Sequence, residues 1–294
     1  MGNLLKSIFV CGVLERDSGK TTFSKALIDF LKALDFKVSA FKPLSGHSLW
    51  YQYDSFMNCI SSGKLYSHDG YELWKEINVD LPIEVLNPVD ILSSVPDLGH
   101  IDLNELNLVD VYDGNVFNNF VLGRFTIMRD EEIFNIYYHN AGKRLIEDSV
   151  FLKNVKRDAD KYVEVNSLKE FLALHSLYYE KSVESCFDVI SGVSDISVIE
   201  SFNDAVEPWK GVENSSIVVA VTPGFALLFE PKEFFAAIKL SKGLLTVFHD
   251  IAREVNPMAT IRLPILSSKY LKDIRLLKNS YDAALSQIRE YLNL

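Results

Sequence analysis

Short apolar runs and stretches with helical apolar spacing alternate along the chain. SIFVCGV (7–13) is an unbroken apolar run of strand length, as expected for a strand buried on both faces. In GKTTFSKALIDFLKALD (19–35) apolar side chains recur at Phe23, Ala26, Leu27, Phe30, Leu31 and Leu34, which is helical spacing. KVSAFKPL (37–44) predicts a second strand, stopped by Pro43. Strand, loop, helix and strand in that order build a parallel sheet. The middle, about 64–190, is less regular. It has Pro-containing loops, two candidate strands in NNFVLGRFTIM and EEIFNIYYHN, and helical segments over roughly 145–185. Regularity then returns. DISVIES (195–201) and SSIVVAVTPG (215–224) read as buried strands, and EPKEFFAAIKL as a short helix with Pro231 in its first turn. ATIRLPI (259–265) reads as a last strand, and LKDIRLLKNSYDAALSQIREYL as one long amphipathic helix. No internal repeat, linker or low-complexity tract interrupts the pattern. The expectation is an α/β fold within a single domain, 1–294. It has a mainly parallel sheet flanked by helices and a middle subdomain, about 64–190, inserted over the active-site edge.

Composition narrows the function. The chain has 294 residues and a net charge of −10, which weighs against broad nucleic-acid binding because that needs a basic surface. No apolar run reaches the roughly 20 residues that span a bilayer. MGNLLKSIFVCGVL has the look of a short signal peptide, but its apolar run leads straight into a glycine–lysine loop and is read as the first strand. MGN fits a myristoyl signal poorly, because Lys6 stands where Ser or Thr is usual. Three cysteines, Cys11, Cys59 and Cys186, are far apart and form neither a metal spacing nor a disulfide framework. A reduced, cytoplasmic compartment is expected. The six histidines show no zinc spacing, and no Ser-His-Asp or Cys-His arrangement can be argued.

The candidate chemistry begins at GVLERDSGKTT (12–22). A phosphate loop leaves a strand, turns successive N–H groups inward and enters a helix whose N-terminus holds phosphate oxygens. A lysine reaches the outer phosphates, and the next hydroxyl can take Mg²⁺. Ser18-Gly19-Lys20-Thr21 has these groups between a strand and a helix. The usual G-x-x-x-x-G-K-[ST] spacing wants glycine at position 14, where Leu14 stands; Gly12 is two residues early. Nucleotide contacts are expected from Asp17, Ser18, Gly19, Lys20, Thr21 and Thr22. A site that does chemistry also needs carboxylates for its metal, placed at the C-terminal ends of strands. Glu200 ends the run ISVI and reads as a metal ligand or water-orienting group, or as an exposed strand end. Lys42 ends the second strand and points to the same crevice, or is a surface lysine. Asp54, taken alone, reads as a helix-capping aspartate.

Together these segments resemble dethiobiotin synthetase and its relatives, the branch of P-loop proteins with MinD-like and cobyrinic acid synthase-like members. The resemblance lies in the stretched loop, in AFKPLSGH (40–47) with its Lys-Pro strand end, in VLNPVDILSSVPD (85–97) and in VIESFND (198–204). It covers about 60 residues at the N-terminus and scattered segments after 190. It implies an ATP-using enzyme, GTP not being excluded, with Lys20 on the phosphates and Thr21, Asp54 and Glu200 holding Mg²⁺. It implies Lys42 facing an anionic acceptor and Ser45 near phosphate or substrate, so that Lys20, Lys42 and Glu200 are the expected catalytic groups. Two departures stand out. Ser201-Phe202-Asn203 replace the family's Gly-Ala-Gly turn, and VFHDIAREVN stands where an Asn-bearing strand near the base is expected. With the long insertion they point away from biotin synthesis itself and toward an unknown small anionic substrate. The insertion's Arg124, Arg129, His139, Lys143 and Arg144 are surface charges or an anion-binding group, and the aromatics of WYQYD (50–54) are core or a stacking platform. The alternative function is a nucleotide-dependent switch acting on a protein partner, with a possible homodimer. Dimer-type members carry an early loop lysine, whereas here Val13-Leu14-Glu15-Arg16 offers only Arg16.

Overall fold

The computed structural model describes residues 5–99, 116–241, 246–267 and 273–294. The MGN segment and the first two residues of LKDIRLLKNS lie outside them. The elements run β1 (Lys6–Gly12), α1 (Lys20–Lys32), β2 (Val38–Phe41), β3 (Leu44–Ser48), α2 (Tyr53–Ser62), α3 (His68–Trp74), α4 (Ile83–Leu86) and β4 (Val89–Ser93). They continue as α5 (Val116–Asn119), β5 (Phe120–Arg129), β6 (Glu132–Asn140), α6 (Ser149–Asp158), β7 (Lys161–Val165) and α7 (Leu168–Val193). The last are β8 (Ile196–Glu200), β9 (Ile217–Thr222), β10 (Phe225–Phe229), α8 (Pro231–Leu240), α9 (Phe248–Ile251), β11 (Ala259–Arg262), α10 (Ile274–Ser280) and α11 (Asp282–Leu292). The fold is α/β with two mixed sheets flanked by helices, the first sheet largely parallel. The chain forms two compact units, one of Met1–Pro43, Glu72–Pro82 and Phe187–Leu294, the other of Leu44–Tyr71 and Ile83–Cys186. The second unit thus opens at Leu44, immediately after the Lys42-Pro43 that follows β2, and the chain returns to the first unit over Glu72–Pro82.

In the first unit the strand order is β11-β10-β9-β1-β8-β2. β9, β1, β8 and β2 are parallel, and β10 runs antiparallel to β9 and β11. The parallel strands are apolar on both faces, and β8 and β2 are buried at every position. α1 buries Phe23, Ala26, Leu27 and Leu31, four of the six residues that carry its period, while Phe30 is half-buried. Each such large side chain removed from water contributes about 1.5–3 kcal/mol before entropy is counted. Its N-cap, Gly19, has φ +87°, a left-handed conformation that favours glycine. α8 starts at Pro231, and the Glu230 side chain accepts from the Glu233 N–H at 2.9 Å. The long C-terminal helix expected from the pattern is two helices, α10 and α11, which meet at Tyr281. Tyr281 is buried, its ring 5.9 Å from that of Phe23 on α1, so packing fixes the joint. β10 was not foreseen: FALLF pairs back onto β9 through the two-residue turn Pro223-Gly224, with Gly224 at φ +87°.

The second unit has strand order β3-β4-β5-β6-β7. β3–β4 and β6–β7 are parallel, and the two pairs between them antiparallel. Both strands expected in the insertion are present as β5 and β6. The region expected to be helical over 145–185 holds α6, β7 and most of α7. A buried cluster including Leu49, Phe56, Leu65, Leu122, Tyr137 and Phe151 packs together in this unit. No described helix is long and apolar enough to cross a membrane.

Candidate functional site

The site is built at the C-terminal ends of β1 and β8. Their register sets Val10 opposite Glu200, while Gly12 on β1 lies opposite Val221 of β9. Val13 extends the pairing, its N–H donating to the Val221 carbonyl at 3.0 Å. Beyond it Leu14, Glu15, Arg16 and Asp17 are exposed, and the chain bends back through Asp17 at φ +54° and Gly19 at φ +87°. The displaced glycine now has a geometric reason. A Cβ on Gly12 would lie 2.8 Å from Ser18 Oγ, 2.9 Å from the Leu14 carbonyl oxygen and 2.9 Å from Lys20 Nζ. The loop closes over residue 12, not residue 14, and a left-handed residue at 17 takes up the extra length. Lys20 is buried, with Nζ 3.1 Å from Ser18 Oγ. Thr22 is half-buried on the first turn of α1.

One residue into α1, Thr21 donates its hydroxyl to Glu200 Oε1 at 3.0 Å. Lys42, just past β2, reaches the same oxygen at 2.8 Å and donates to the Ser201 carbonyl at 2.7 Å. Glu200 is fully buried, and its Oε2 has no hydrogen-bond partner. After Glu200 the chain turns sharply. Ser201 N–H donates to the Val10 carbonyl at 2.9 Å, and Asn203 takes φ +48°. Asn tolerates that left-handed conformation better than most residues, so a non-glycine turn is possible here. Cys11 lies beneath the loop; burial pushes its thiol up to about 12, although Lys20 works against this, and it stays a neutral thiol.

The structure thus brings together Gly12, Ser18, Lys20, Thr21, Lys42 and Glu200. The alternative readings, Glu200 as an exposed strand end and Lys42 as a surface lysine, give way to a buried ion pair. An orphaned, buried carboxylate oxygen beside a threonine hydroxyl is a hard oxygen donor set. Among the described residues no group of three or more His, Cys, Asp and Glu could hold a metal. Mg²⁺ binds through one or two protein oxygens plus phosphates and water, the kind of hard oxygen that Thr21 and Glu200 carry.

The remaining expected site residues belong to the second unit. Asp54 is exposed in the first turn of α2, where a carboxylate favours the helix N-terminus. Ser45 on β3 is buried, its hydroxyl 2.5 Å from Asp90 Oδ1 and 2.8 Å from the Asn87 side-chain oxygen. It belongs to a polar network that the sequence reading missed. Ser45, Asp90 and Arg124 lie in register across β3, β4 and β5, and His47 stands two residues along the same face. His47 Nδ1 is 3.0 Å from Asp90 Oδ2. Burial alone would lower the imidazole, but the Asp90 carboxylate more than reverses this and pushes it up to about 10. Burial would raise Asp90, but His47, the Ser45 hydrogen bond and Arg124 hold it below the usual carboxylate range. Arg124 is fully buried, donating to the Leu65 and Asn87 carbonyls at 2.9 and 2.6 Å and to the Thr126 hydroxyl. It is therefore no surface charge, whereas Arg129, Lys143 and Arg144 are exposed and His139 pairs with Glu147 at 3.0 Å. Cys59 lies 3.9 Å from His47 Nε2, and its thiol donates to the Tyr66 carbonyl at 3.2 Å within the buried core. The legible signal was polar residues at alternate positions within apolar strands. Trp50, Tyr51 and Tyr53 are 60%, 82% and 55% exposed, which removes them from the core. No family model matches the sequence, and no curated protein is significantly similar to it.

Proposed function

We propose that the first unit is a Mg²⁺-dependent P-loop nucleotide site of dethiobiotin synthetase-like type. It uses ATP, with GTP as the alternative, to transfer the terminal phosphoryl group to water or to a small anionic acceptor. The observation that carries this reading is the convergence of Lys20, Thr21, Lys42 and Glu200 beside a loop closed over Gly12, with one buried carboxylate oxygen of Glu200 lacking a partner. When bound, the nucleotide supplies the phosphoryl group, and Mg²⁺ compensates its charge. The chain's own part is positioning and electrostatics. α1 begins at Lys20 without a side-chain cap, and a helix N-terminus attracts phosphate oxygens. The Lys20 ammonium adds charge at the same place. Thr21 and Glu200 would hold the cation, and Lys42 holds Glu200.

Calorimetric titration of Mg-ATP and Mg-GTP tests the reading on the wild type and on Lys20→Ala. Micromolar binding of one nucleotide, lost in a Lys20→Ala variant with an unchanged circular dichroism spectrum, is expected. Equal affinity in the variant would sink the site assignment, and no binding by the wild type would sink the reading as a whole.

A further inference from the structure

Lys42 and Glu200 are 2% and 0% exposed, and the ammonium sits 2.8 Å from Oε1. The Thr21 hydroxyl donates to that same oxygen at 3.0 Å, so both donors converge on Oε1 and leave Oε2 bare. A buried carboxylate without a counter-charge is strongly disfavoured. β2 supplies that charge, because it lies beside β8 with Phe41 opposite Ile199, so the residue after Phe41 reaches the residue after Ile199. The Ser201 carbonyl, 2.7 Å from Lys42 Nζ, fixes the ammonium from a second direction.

We propose that Lys42 is a positioning residue. It is an internal counter-ion that occupies Oε1 of Glu200 together with Thr21 and leaves Oε2 free. It thereby lets a divalent cation bind only together with the phosphates of a nucleotide. The inference rests on the nucleotide-site reading above. A cation approaching without nucleotide meets a carboxylate already paired with a lysine. Thr21 and Glu200 alone offer too few oxygens to overcome that repulsion. Phosphate oxygens reverse the local charge, so cation and nucleotide enter as a unit.

The test uses Mn²⁺ as the probe, followed by electron paramagnetic resonance on the full chain without nucleotide. The proteins are the wild type, Lys42→Met, and Lys42→Met combined with Glu200→Gln. Lys42→Met is expected to bind Mn²⁺ at least about ten-fold more tightly than the wild type, and the double variant to lose that gain. The melting temperature of Lys42→Met should also rise by about 5 °C in millimolar Mg²⁺, with the wild type unmoved, since a cation then takes the ammonium's place. Equal Mn²⁺ affinity in the wild type and Lys42→Met, or a Lys42→Met melt insensitive to cation, overturns the proposal. Should Lys42→Met not fold, Lys42→Gln, which keeps a hydrogen-bond donor beside Glu200 but removes the charge, takes its place, with the same gain expected and the same equal affinity overturning the proposal. A parallel Mn-ATP titration of the wild type separates the two levels. Failure there removes the nucleotide reading, whereas Lys20-dependent Mn-ATP binding without the Lys42→Met gain removes only the counter-ion.

Discussion

Gly12 is needed because the space over its Cα is already filled. A methyl group there would press on the Leu14 carbonyl and on Ser18 and Lys20, and the backbone oxygen cannot swing aside as a side-chain tip can. Gly12→Ala is therefore expected to cost about 1–3 kcal/mol in urea denaturation and to weaken Mg-ATP binding. An unchanged affinity would mean that the loop closes differently. His47 poses a second question at this scale, because its charge is carried inside the second unit. Its folded value, about 10, stands above the ordinary 6.5. The stabilisation is thus fully present below pH 6.5 and is lost as pH rises through 10. The stability gap between wild type and His47→Gln should be widest and flat below pH 6.5, and should narrow from there to pH 10. A gap that widens with pH would show that the imidazole is neutral in the fold.

At the scale of elements, the β5–β6 hairpin turns on Asp130 and Glu131, with φ +48° and +69°. Arg129 pairs with Glu132 across this two-residue loop, whose twist suits the hairpin but whose backbone suits glycine at both positions. Glu131→Gly is expected to stabilise the protein by about 0.5–1 kcal/mol, read as a higher urea midpoint at constant slope. A lower midpoint would show that the Glu131 side chain contributes more than its backbone strain costs. Elements whose burial follows a simple period were legible in the sequence: β1, α1, β8, β9 and α8 all stand where their apolar spacing placed them. β10 was not, because five residues ahead of a strong helical pattern carry no period of their own, and only the turn at Gly224 sends them back along β9. The single C-terminal helix was over-read for the opposite reason. Its period continues through Tyr281, and the joint comes from a tertiary contact with Phe23. The same limit applied to chemistry. Lys20 and Thr21 announce themselves by local spacing, whereas the Lys42–Glu200 pair joins positions 158 residues apart. The Ser45–Asp90–Arg124 row likewise exists only once three strands are in register.

For the whole molecule, the division into two compact units has a thermodynamic consequence. Each unit has its own sheet and its own buried core, and each exceeds the size at which a domain can fold alone. The proposed ligand groups Lys20, Thr21, Lys42 and Glu200 all belong to the first unit, while the His47–Asp90–Arg124 network belongs to the second. A ligand that binds one folded unit raises the stability of that unit by mass action and leaves the other where it was. Calorimetry is therefore expected to resolve two unfolding transitions, of which saturating Mg-ATP raises one. Lys20→Ala should abolish that rise without moving the other transition. The transition that ignores Mg-ATP should be the one that falls when the pH is taken from 6.5 toward 10, since His47 loses its proton there. Its pH response should vanish in His47→Gln. If both transitions rise together with Mg-ATP, or if one transition carries both responses, the two units unfold as one cooperative body. The contacts that divide the chain would then not divide its energetics.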